Sequence, residues 1–391
     1  MNDKHTENEL VYKNDAVVML DPAAMAGPYF KRRGGLRNSA TKFLRKGTGR
    51  VAFLGGSITQ MQGWSNLTEA HLRDRFPDAK LDFINAAIGG TNSTFGVFRF
   101  DDDVLTKGTV DLLFLEFAVN DSEVVKLDNQ RQQAMEGIIR KARQSNSKMD
   151  ILVLYMVDES KVQAYRELKE PAEITHHEQV MAHYNIPVIN LALEMTRRLD
   201  TGTFVWSDFS NDSCHPLPFG HEQYMRCIRE CLDAAWAKRS TSTKSKAYPL
   251  PAPLFHDHLA NARLIGTKAA QGWPMVRGWI TEKVCNYSGP VDVLTATAAG
   301  ESAIVTFSGT SLAMSAIAGM DAGILEITID GVRAPNYDLF DYYCTLFHRP
   351  IFHILAYNLS PGNHTVQLRM AERHHAESTG HAARILQFGV A

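Results

Sequence analysis

The feature that most constrains the fold is a series of short apolar runs that alternate with helical patterns between residues 50 and 239. The four clearest runs occupy residues 51–54, 81–84, 112–115 and 151–157. Segments with helical periodicity occur near residues 64–75, 129–144, 161–183 and 219–236. Strands that are buried on both faces and joined by helices form parallel sheets. This half of the chain is therefore predicted to be an α/β domain.

The pattern changes beyond residue 239. A stretch rich in Ser, Thr and Lys leads into three prolines between residues 249 and 253, which is typical of an extended linker. Apolar residues then alternate with polar ones, as at Leu325, Ile327 and Ile329, and predict a C-terminal all-β sandwich of jelly-roll type. The predicted division is an N-terminal extension at 1–49 that packs on the other domains, the α/β domain at 50–239, a linker at 240–255 and the β-sandwich at 256–391.

Charge and composition exclude several classes of protein. The 391 residues include 41 Lys or Arg and 43 Asp or Glu without a long basic run, which argues against nucleic acid as a partner. No stretch approaches the ~20 apolar residues that a membrane span requires, so no membrane partner is predicted. The first ten residues are polar, and we expect a cytoplasmic protein, or a secreted or periplasmic one if a signal peptide has been removed. These features leave the oligomeric state unknown.

The five cysteines form no CxxC pair, which argues against a disulfide framework and against a zinc site built on thiolates. Cys227 and Cys231 lie four residues apart in a predicted helix. We expect them to share one buried face of that helix rather than to form a bridge.

Four loops carry residues that could take part in catalysis. Gly55-Gly56-Ser57 follows the first strand, Gly89-Gly90 the second, Asn120-Asp121 the third, and Asp212 to His215 precede the final helix. The carboxyl ends of parallel strands meet at one edge of a sheet, which should bring these loops together. A phosphate-binding loop is excluded because no Gly-Lys-Ser/Thr follows the first glycines.

These residue types fit nucleophilic catalysis. Ser57 with His215 as base, and Asp212 three residues before that histidine, make a nucleophile, a base and a group that orients the base. The Gly90 N–H and the Asn120 amide are natural donors to a developing oxyanion. Ser57 could instead cap a helix, and Cys214 is a competing nucleophile for which a packing role is the simpler interpretation.

The ordered blocks Gly-Gly-Ser, Asn-x-Ala-x-x-Gly, Val-Asn-Asp and Asp-x-x-His resemble the SGNH/GDSL hydrolase superfamily over residues 50–239. The resemblance implies a flavodoxin-like three-layer α/β/α sandwich with a parallel sheet and no metal or organic cofactor. It implies a triad of Ser57, His215 and Asp212, with an oxyanion hole formed by Ser57, Gly90 and Asn120; Gly89 is the alternative to Gly90. The first block reads Gly-Gly-Ser-Ile-Thr instead of Gly-Asp-Ser-Leu, which gives less support to a lipase-like specificity.

The segment at residues 116–121, Glu-Phe-Ala-Val-Asn-Asp, resembles members found among carbohydrate esterases. The resemblance therefore implies a serine esterase that acts on O-acyl, chiefly O-acetyl, groups of a carbohydrate. The expected partner is a small-molecule or oligosaccharide ester. Alternatives are an acyltransferase, a lipase-like or thioesterase-like acylhydrolase, and a non-catalytic carbohydrate-binding protein on an inactive esterase fold.

Other polar and aromatic residues have simpler interpretations. We expect Asp121 to cap the helix that follows it, His221 to be packed at a helix start, and the acidic run at 101–103 to be solvated. The pairs at 176–177 and 374–375 lack further ligands at metal spacing. A group of aromatic residues in the sandwich forms either a sugar platform or a core and domain interface: Tyr337, Phe340, Tyr342, Tyr343, Phe347 and Phe352.

Overall fold

The computed structural model describes residues 17–122, 129–237, 245–255, 259–279 and 290–391. Residues 1–16 of the predicted N-terminal extension, residues 240–244 of the predicted linker and Cys285 lie outside these ranges. Within the described ranges, no helix combines the length and the apolar character needed to cross a membrane.

The α/β half is built on a six-stranded sheet. The strands of this half are β1 (Val18–Met19), β2 (Phe30–Lys31), β3 (Thr48–Gly55), β4 (Lys80–Asn85), β5 (Leu112–Glu116), β6 (Asp150–Tyr155), β7 (Lys169–Glu170) and β8 (Val188–Asn190). All of them belong to this sheet except β1 and β7, which form a separate pair. The sheet order is β2-β8-β6-β5-β3-β4, in which only β2 runs antiparallel, and β1 pairs with β7. The predicted parallel sheet is confirmed, with an antiparallel edge strand contributed by the N-terminal segment.

Helices cover both faces of this sheet. Successive side chains of a strand point to opposite faces, and Val51, Ala52, Phe53 and Leu54 of β3 are all fully buried. The described helices are α1 (Pro22–Ala26), α2 (Arg37–Lys46), α3 (Ser57–Gln60), α4 (Trp64–Arg75), α5 (Ser93–Asp103), α6 (Gln130–Ser145), α7 (Glu159–Arg166), α8 (Ala172–His183), α9 (Leu191–Asp200), α10 (Trp206–Phe209) and α11 (Pro218–Trp236). The three-layer α/β/α architecture is therefore confirmed.

The prediction of one helix over residues 161–183 was wrong, because this region contains α7, the short strand β7 and α8. Proline cannot donate the backbone hydrogen bond that a helix interior requires, and Pro171 instead stands immediately before α8. Leu168, with a φ of 57°, turns the chain between α7 and β7. In α11, by contrast, Cys227 and Cys231 are buried on one face, as predicted. Four of the cysteines are free thiols: Cys214, Cys227, Cys231 and Cys344.

The C-terminal half is a sandwich of two antiparallel sheets, as predicted. Its strands are β9 (Arg263–Ile265), β10 (Ala270–Gln271), β11 (Met275–Trp279), β12 (Val291–Ala296), β13 (Ser302–Gly309), β14 (Leu312–Ala318), β15 (Ile324–Ile329), β16 (Val332–Asp338), β17 (Arg349–Ala356), β18 (Gly362–Met370) and β19 (Ala383–Val390). One sheet has the order β10-β13-β18-β15-β16 and the other β11-β12-β19-β14-β17, with β9 beside β19. The hairpin between β15 and β16 turns at Asp330 and Gly331, both at positive φ.

The described part of the linker is bound along the α/β domain. The Tyr248 hydroxyl donates a 2.5 Å hydrogen bond to Oδ1 of Asp150, and the backbone N–H groups of Leu254 and Phe255 donate to the Glu136 carboxylate. This stretch contains no helix or strand. The hydrogen bonds give it a fixed path to the sandwich.

The sandwich packs on helix α5 of the α/β domain. The Phe352 ring of β17 stacks on Phe95 of α5, with ring centroids 4.6 Å apart, and it also contacts Phe98. Both α5 rings are buried. Because α5 begins three residues after Gly90, this contact fixes the sandwich close to one of the loops singled out in the sequence.

Candidate active site

The nucleophile candidate lies where β3 turns sharply into α3. Gly56 precedes the helix in an extended conformation, and Ser57 is the first helical residue. A Cβ atom at Gly55 would lie 2.7 Å from the carbonyl oxygen of Glu116 on the neighbouring strand, so only glycine fits there. The Ser57 Oγ lies 2.8 Å from Nε2 of His215. Ser57 therefore faces a histidine instead of capping the helix.

A second hydrogen bond orients the histidine. Nδ1 of His215 lies 2.8 Å from Oδ2 of Asp212, and the other carboxylate oxygen accepts the backbone N–H groups of Cys214 and His215 at 2.8 and 2.7 Å. Partial burial acts to raise the pKa of Asp212. The bonds donated by these two backbone amides and by the His215 ring outweigh it and lower that pKa to about 2. Asp212 is therefore ionised at neutral pH.

The two predicted oxyanion donors line the same cavity as Ser57 and His215. Gly90 has a φ of 70°, a left-handed conformation that favours glycine. The neighbouring Gly89 N–H donates a 2.8 Å hydrogen bond to Oε1 of Gln60, so the geometry favours Gly90 over Gly89 as the free donor. Asn120 lies in a short turn after β5, and its side chain packs directly against Gly56.

Both halves of the chain line this cavity, whose volume is about 450 Å³. The α/β domain provides the loops already described, together with Asp158, Glu159 and Ser160 at the start of α7. The sandwich contributes four residues that precede or begin β17: Tyr343, Phe347, Arg349 and Pro350. Arg349 forms a 2.8 Å ion pair with Asp341 and lies over the Tyr343 ring. No pattern in the sequence predicts that these residues reach the α/β site.

Glu116, at the end of β5, is a buried carboxyl directly beneath the nucleophile turn. Its Oε2 accepts a 2.9 Å hydrogen bond from the Thr59 hydroxyl and a longer one from the Gly56 N–H. Oε1 has no partner within the described residues. Burial raises the pKa of Glu116 to about 7. The signal available in the sequence was an acidic residue at the end of an otherwise apolar run.

Among the described residues, Asp121 does not cap the helix that follows it, which begins at Gln130 after Asn129, so that prediction was wrong. Its Oδ1 accepts the backbone N–H of Ser93, at the start of the preceding helix α5, at 2.9 Å. Its Oδ2 lies 2.7 Å from Nε2 of the buried His177. The carboxylate points back into the protein because a buried hydrogen-bonding partner is available there, which the sequence did not reveal.

The simpler interpretations of the other polar residues agree with the structure in two cases. His221 is packed against Gly63, accepts the Trp64 N–H on Nδ1, and has its pKa lowered to about 4 by burial. Cys214 lines the cavity, with Sγ 3.5 Å from Nδ1 of His215, but burial raises the pKa of its thiol to about 11. A thiol that stays protonated near neutral pH is a poor nucleophile.

The acidic run at 101–103 is engaged in ion pairs. Asp101 pairs with Lys141 and Asp103 with Arg99. Within the described residues, the group whose possible metal-ligand atoms all lie within 4.8 Å of one another is Asp212, Cys214 and His215. Asp212 and His215 already hydrogen-bond each other there.

The sandwich aromatics divide between the two interpretations. Phe340 belongs to the sandwich core and Phe352 to the domain interface, while Tyr343 and Phe347 line the cavity. Tyr342, with 69% of its surface exposed, does not line the cavity. Aromatic enrichment alone could not separate these environments, because each of them favours large rings.

Comparison with known proteins places this architecture in context. A two-domain esterase active on acetylated mannans has a similar structure, both in a crystal with mannopentaose and in a second crystal structure. The TM-score is 0.74 and the identity 22% for each, and the alignments cover 92% of this chain and 95% and 96% of those chains. Curated protein sequences yield no match to this chain. The model of the GDSL-like lipase/acylhydrolase family matches residues 53–223, the region that contains all four loops. Over these residues, the α/β domain is similar to the GDSL-like lipase/acylhydrolase family.

Proposed function

We propose that this protein is a serine esterase that removes O-acetyl groups from a carbohydrate. The observation that carries the proposal is the continuous chain of contacts from Ser57 Oγ through His215 to Asp212, each 2.8 Å long, at the wall of a cavity. A nucleophile, a base and a carboxylate in this order are the groups that acyl transfer requires.

In the proposed mechanism the Ser57 Oγ attacks the ester carbonyl and transfers its proton to Nε2 of His215. The Asp212 carboxylate stabilises the imidazolium that forms. The backbone N–H groups of Ser57 and Gly90 and the Asn120 amide donate hydrogen bonds to the oxyanion. His215 then protonates the leaving sugar oxygen, which leaves an acetyl group on Ser57. Water, activated by His215, releases acetate by the reverse sequence of proton transfers.

The lining of the cavity supports a carbohydrate as the alcohol part of the ester. Sugars present hydroxyl groups that need polar partners and ring faces that stack on aromatic side chains. Glu159 and Ser160 supply polar groups from the α/β domain, while Tyr343 and Phe347 supply rings from the sandwich. The structurally similar esterase that acts on acetylated mannans also has two domains, which makes acetylated manno-oligosaccharides the first substrates to test.

Acetate release tests the reaction. We expect the purified protein to release acetate from acetylated manno- or xylo-oligosaccharides, and Ser57→Ala to release none above background. An organophosphonate should label the wild type but not the variant. A wild type that is neither labelled nor active would contradict the proposal and favour a carbohydrate-binding protein. Acetate transfer to an added sugar, without free acetate, would favour an acyltransferase, and activity only on long-chain or thioester substrates a lipase-like or thioesterase-like enzyme.

Adjacent tyrosines test the sugar-binding role of the sandwich. We expect Tyr343→Ala to raise KM for an acetylated oligosaccharide about 10-fold and to leave KM for a small chromogenic acetyl ester unchanged. The estimate assumes the loss of one stacking contact of about 1–1.5 kcal/mol. Tyr342→Ala is the matched control, because Tyr342 lies next in the chain but outside the cavity. Equal effects of the two changes on the oligosaccharide would contradict this role.

A further inference from the structure

One buried carboxylate connects the two segments that carry the proposed oxyanion donors. Asp121 directly follows Asn120, and its Oδ1 accepts the N–H of Ser93, three residues after Gly90. Its own backbone is fixed as well, because its N–H donates to the carbonyl of Phe117. The Asp121 side chain therefore forms a direct link between the start of α5, beside the Gly90 loop, and the Asn120 turn.

The second oxygen of that carboxylate is held by a histidine that has no other hydrogen bond within the described residues. Nε2 of His177 on α8 lies 2.7 Å from Oδ2 of Asp121, and both side chains are almost completely buried. Nδ1 of the same ring is buried without a partner in the described part of the chain. His177 thus directs its only polar contact there to Asp121. Without it, a buried carboxylate would lose a partner and draw in water or shift.

An oxyanion hole works only when its donors are already in place before charge develops on the substrate. A displacement of the Asn120 turn relative to Gly90 would weaken the stabilisation of the transition state more than it would weaken substrate binding. The reason is that the ground-state ester carries little charge on its carbonyl oxygen. A residue that holds the two segments together should therefore act on kcat.

We propose that His177 is a positioning residue for the oxyanion hole. Through Asp121, it holds the Asn120 turn in place relative to the Gly90 loop. The inference rests on the proposed esterase function, but it concerns the geometry of the hole and not the choice of substrate. His177 itself is buried on α8 and does not line the cavity, so it acts only through its neighbours.

A double-mutant cycle tests the proposal with a chromogenic acetyl ester. We expect His177→Leu to lower kcat about 10- to 100-fold with KM changed less than about threefold, a part of the roughly 10²–10³-fold that loss of a whole donor costs. In an Asn120→Ala background the same change should lower kcat less than about threefold, because the donor to be positioned is gone. Equal losses of kcat in the two backgrounds, or no loss in the first, would overturn the proposal.

Three further variants keep the test decisive. His177→Gln retains a side-chain N–H that can face Asp121, and it should recover kcat to within about fivefold of the wild type. If His177→Leu does not fold, as judged by thermal melting, Asp121→Asn replaces it in the cycle. The loss of kcat caused by Asp121→Asn should then be smaller in the Asn120→Ala background than in the wild type. Equal losses in the two backgrounds would overturn the proposal. His183→Leu on the same helix is the control, since His183 binds the linker at Ala252 and should leave kcat unchanged.

The rate of labelling by an organophosphonate separates this inference from the substrate proposal. Labelling depends on the nucleophile and the oxyanion hole but not on any sugar. If the wild type is labelled but releases no acetate from any carbohydrate, the substrate proposal fails. The double-mutant cycle is then measured with labelling rates in place of kcat. In that case slower labelling of His177→Leu, with the slowing absent in the Asn120→Ala background, supports the positioning role, and unchanged or additive rates overturn it.

Discussion

The Asn120 side chain occupies the space that a Cβ atom at Gly56 would need: such an atom would lie 2.0 Å from Oδ1 of Asn120. Gly56 is the residue before the proposed nucleophile, so the absence of a side chain there lets an amide from the β5 loop reach the Ser57 turn. The φ of Gly56 is −92°, which other residues adopt easily, so the requirement for glycine is one of space and not of backbone conformation.

Gly56→Ala is therefore expected to displace Asn120 and to lower kcat at least about 10-fold, with a cost of about 1–3 kcal/mol in unfolding free energy from overpacking. Steady-state kinetics and urea unfolding measure the two effects. Gly266→Ala is the matched control, because nothing lies within 4 Å of a Cβ atom at that position and its φ is negative. A fully active Gly56→Ala variant would mean that Asn120 does not serve as the donor.

The identity of the nucleophile is tested by two substitutions. Ser57→Ala should lower kcat by about 10⁴-fold or more without lowering the melting temperature, since it removes the attacking oxygen. Cys214→Ser should keep kcat within about threefold, because the high pKa of the Cys214 thiol leaves it protonated. Inactivation by thiol alkylation, together with an inactive Cys214→Ser variant, would assign the reaction to the cysteine.

Asn120→Ala should lower kcat by roughly 10²–10³-fold, equivalent to about 3–4 kcal/mol of transition-state stabilisation, with a small change in KM. The amide donates mainly to the charge that develops during the reaction. Kinetics with the chromogenic acetyl ester separate the two constants. A change confined to KM would make Asn120 a substrate-binding residue.

Asp212→Asn should lower kcat by about 10²–10⁴-fold at every pH tested, because the amide no longer stabilises the imidazolium or fixes its tautomer. The lowered pKa of Asp212 adds a second expectation. A carboxylate of this kind remains ionised as the pH falls, until the pH approaches about 2. The pH–rate profile of the wild type should therefore show no ionisation between pH 3 and 5 that disappears in Asp212→Asn.

Glu116 should make stability depend on pH. Its pKa is raised in the folded protein, so its contribution to stability is complete below the pKa of an unfolded glutamate and is lost as the pH rises towards about 7. The unfolding free energy of the wild type minus that of Glu116→Gln should fall by up to about 3 kcal/mol between pH 4.5 and 7.5. Urea unfolding at several pH values measures this difference. A constant difference, or one that grows with pH, would contradict the assignment.

The sequence predicted the features that depend on local pattern. Buried strands and helices have characteristic periods, so β3, β4, β5 and α11 were found within a few residues of their observed ends. The four loops could be placed together because the ends of parallel strands meet at one edge. Their contacts, such as the 2.8 Å distance from Ser57 to His215, follow from that arrangement.

Features that depend on contacts between distant segments were not predictable in this way. Nothing in the periodicity of α8 distinguishes His177, whose importance comes from its contact with Asp121, 56 residues earlier. The antiparallel edge strand β2 is only two residues long, too short to carry a pattern. Tyr343 lies in the sandwich and reaches the cavity in a fold where the sandwich packs on α5, and no local signal encodes that packing.

The packing of the sandwich on α5 limits how the two halves could be recombined in evolution. Phe95 and Phe98 lie beneath Phe352, and the backbone at Gly389 packs directly on the Phe98 ring. A protein that lost its sandwich would expose these two rings to water next to the Gly90 loop. The result would be an exposed apolar patch, which favours aggregation. We therefore expect the α5 surface and the sandwich to change together, even though the described strands of the six-stranded sheet include none from the sandwich.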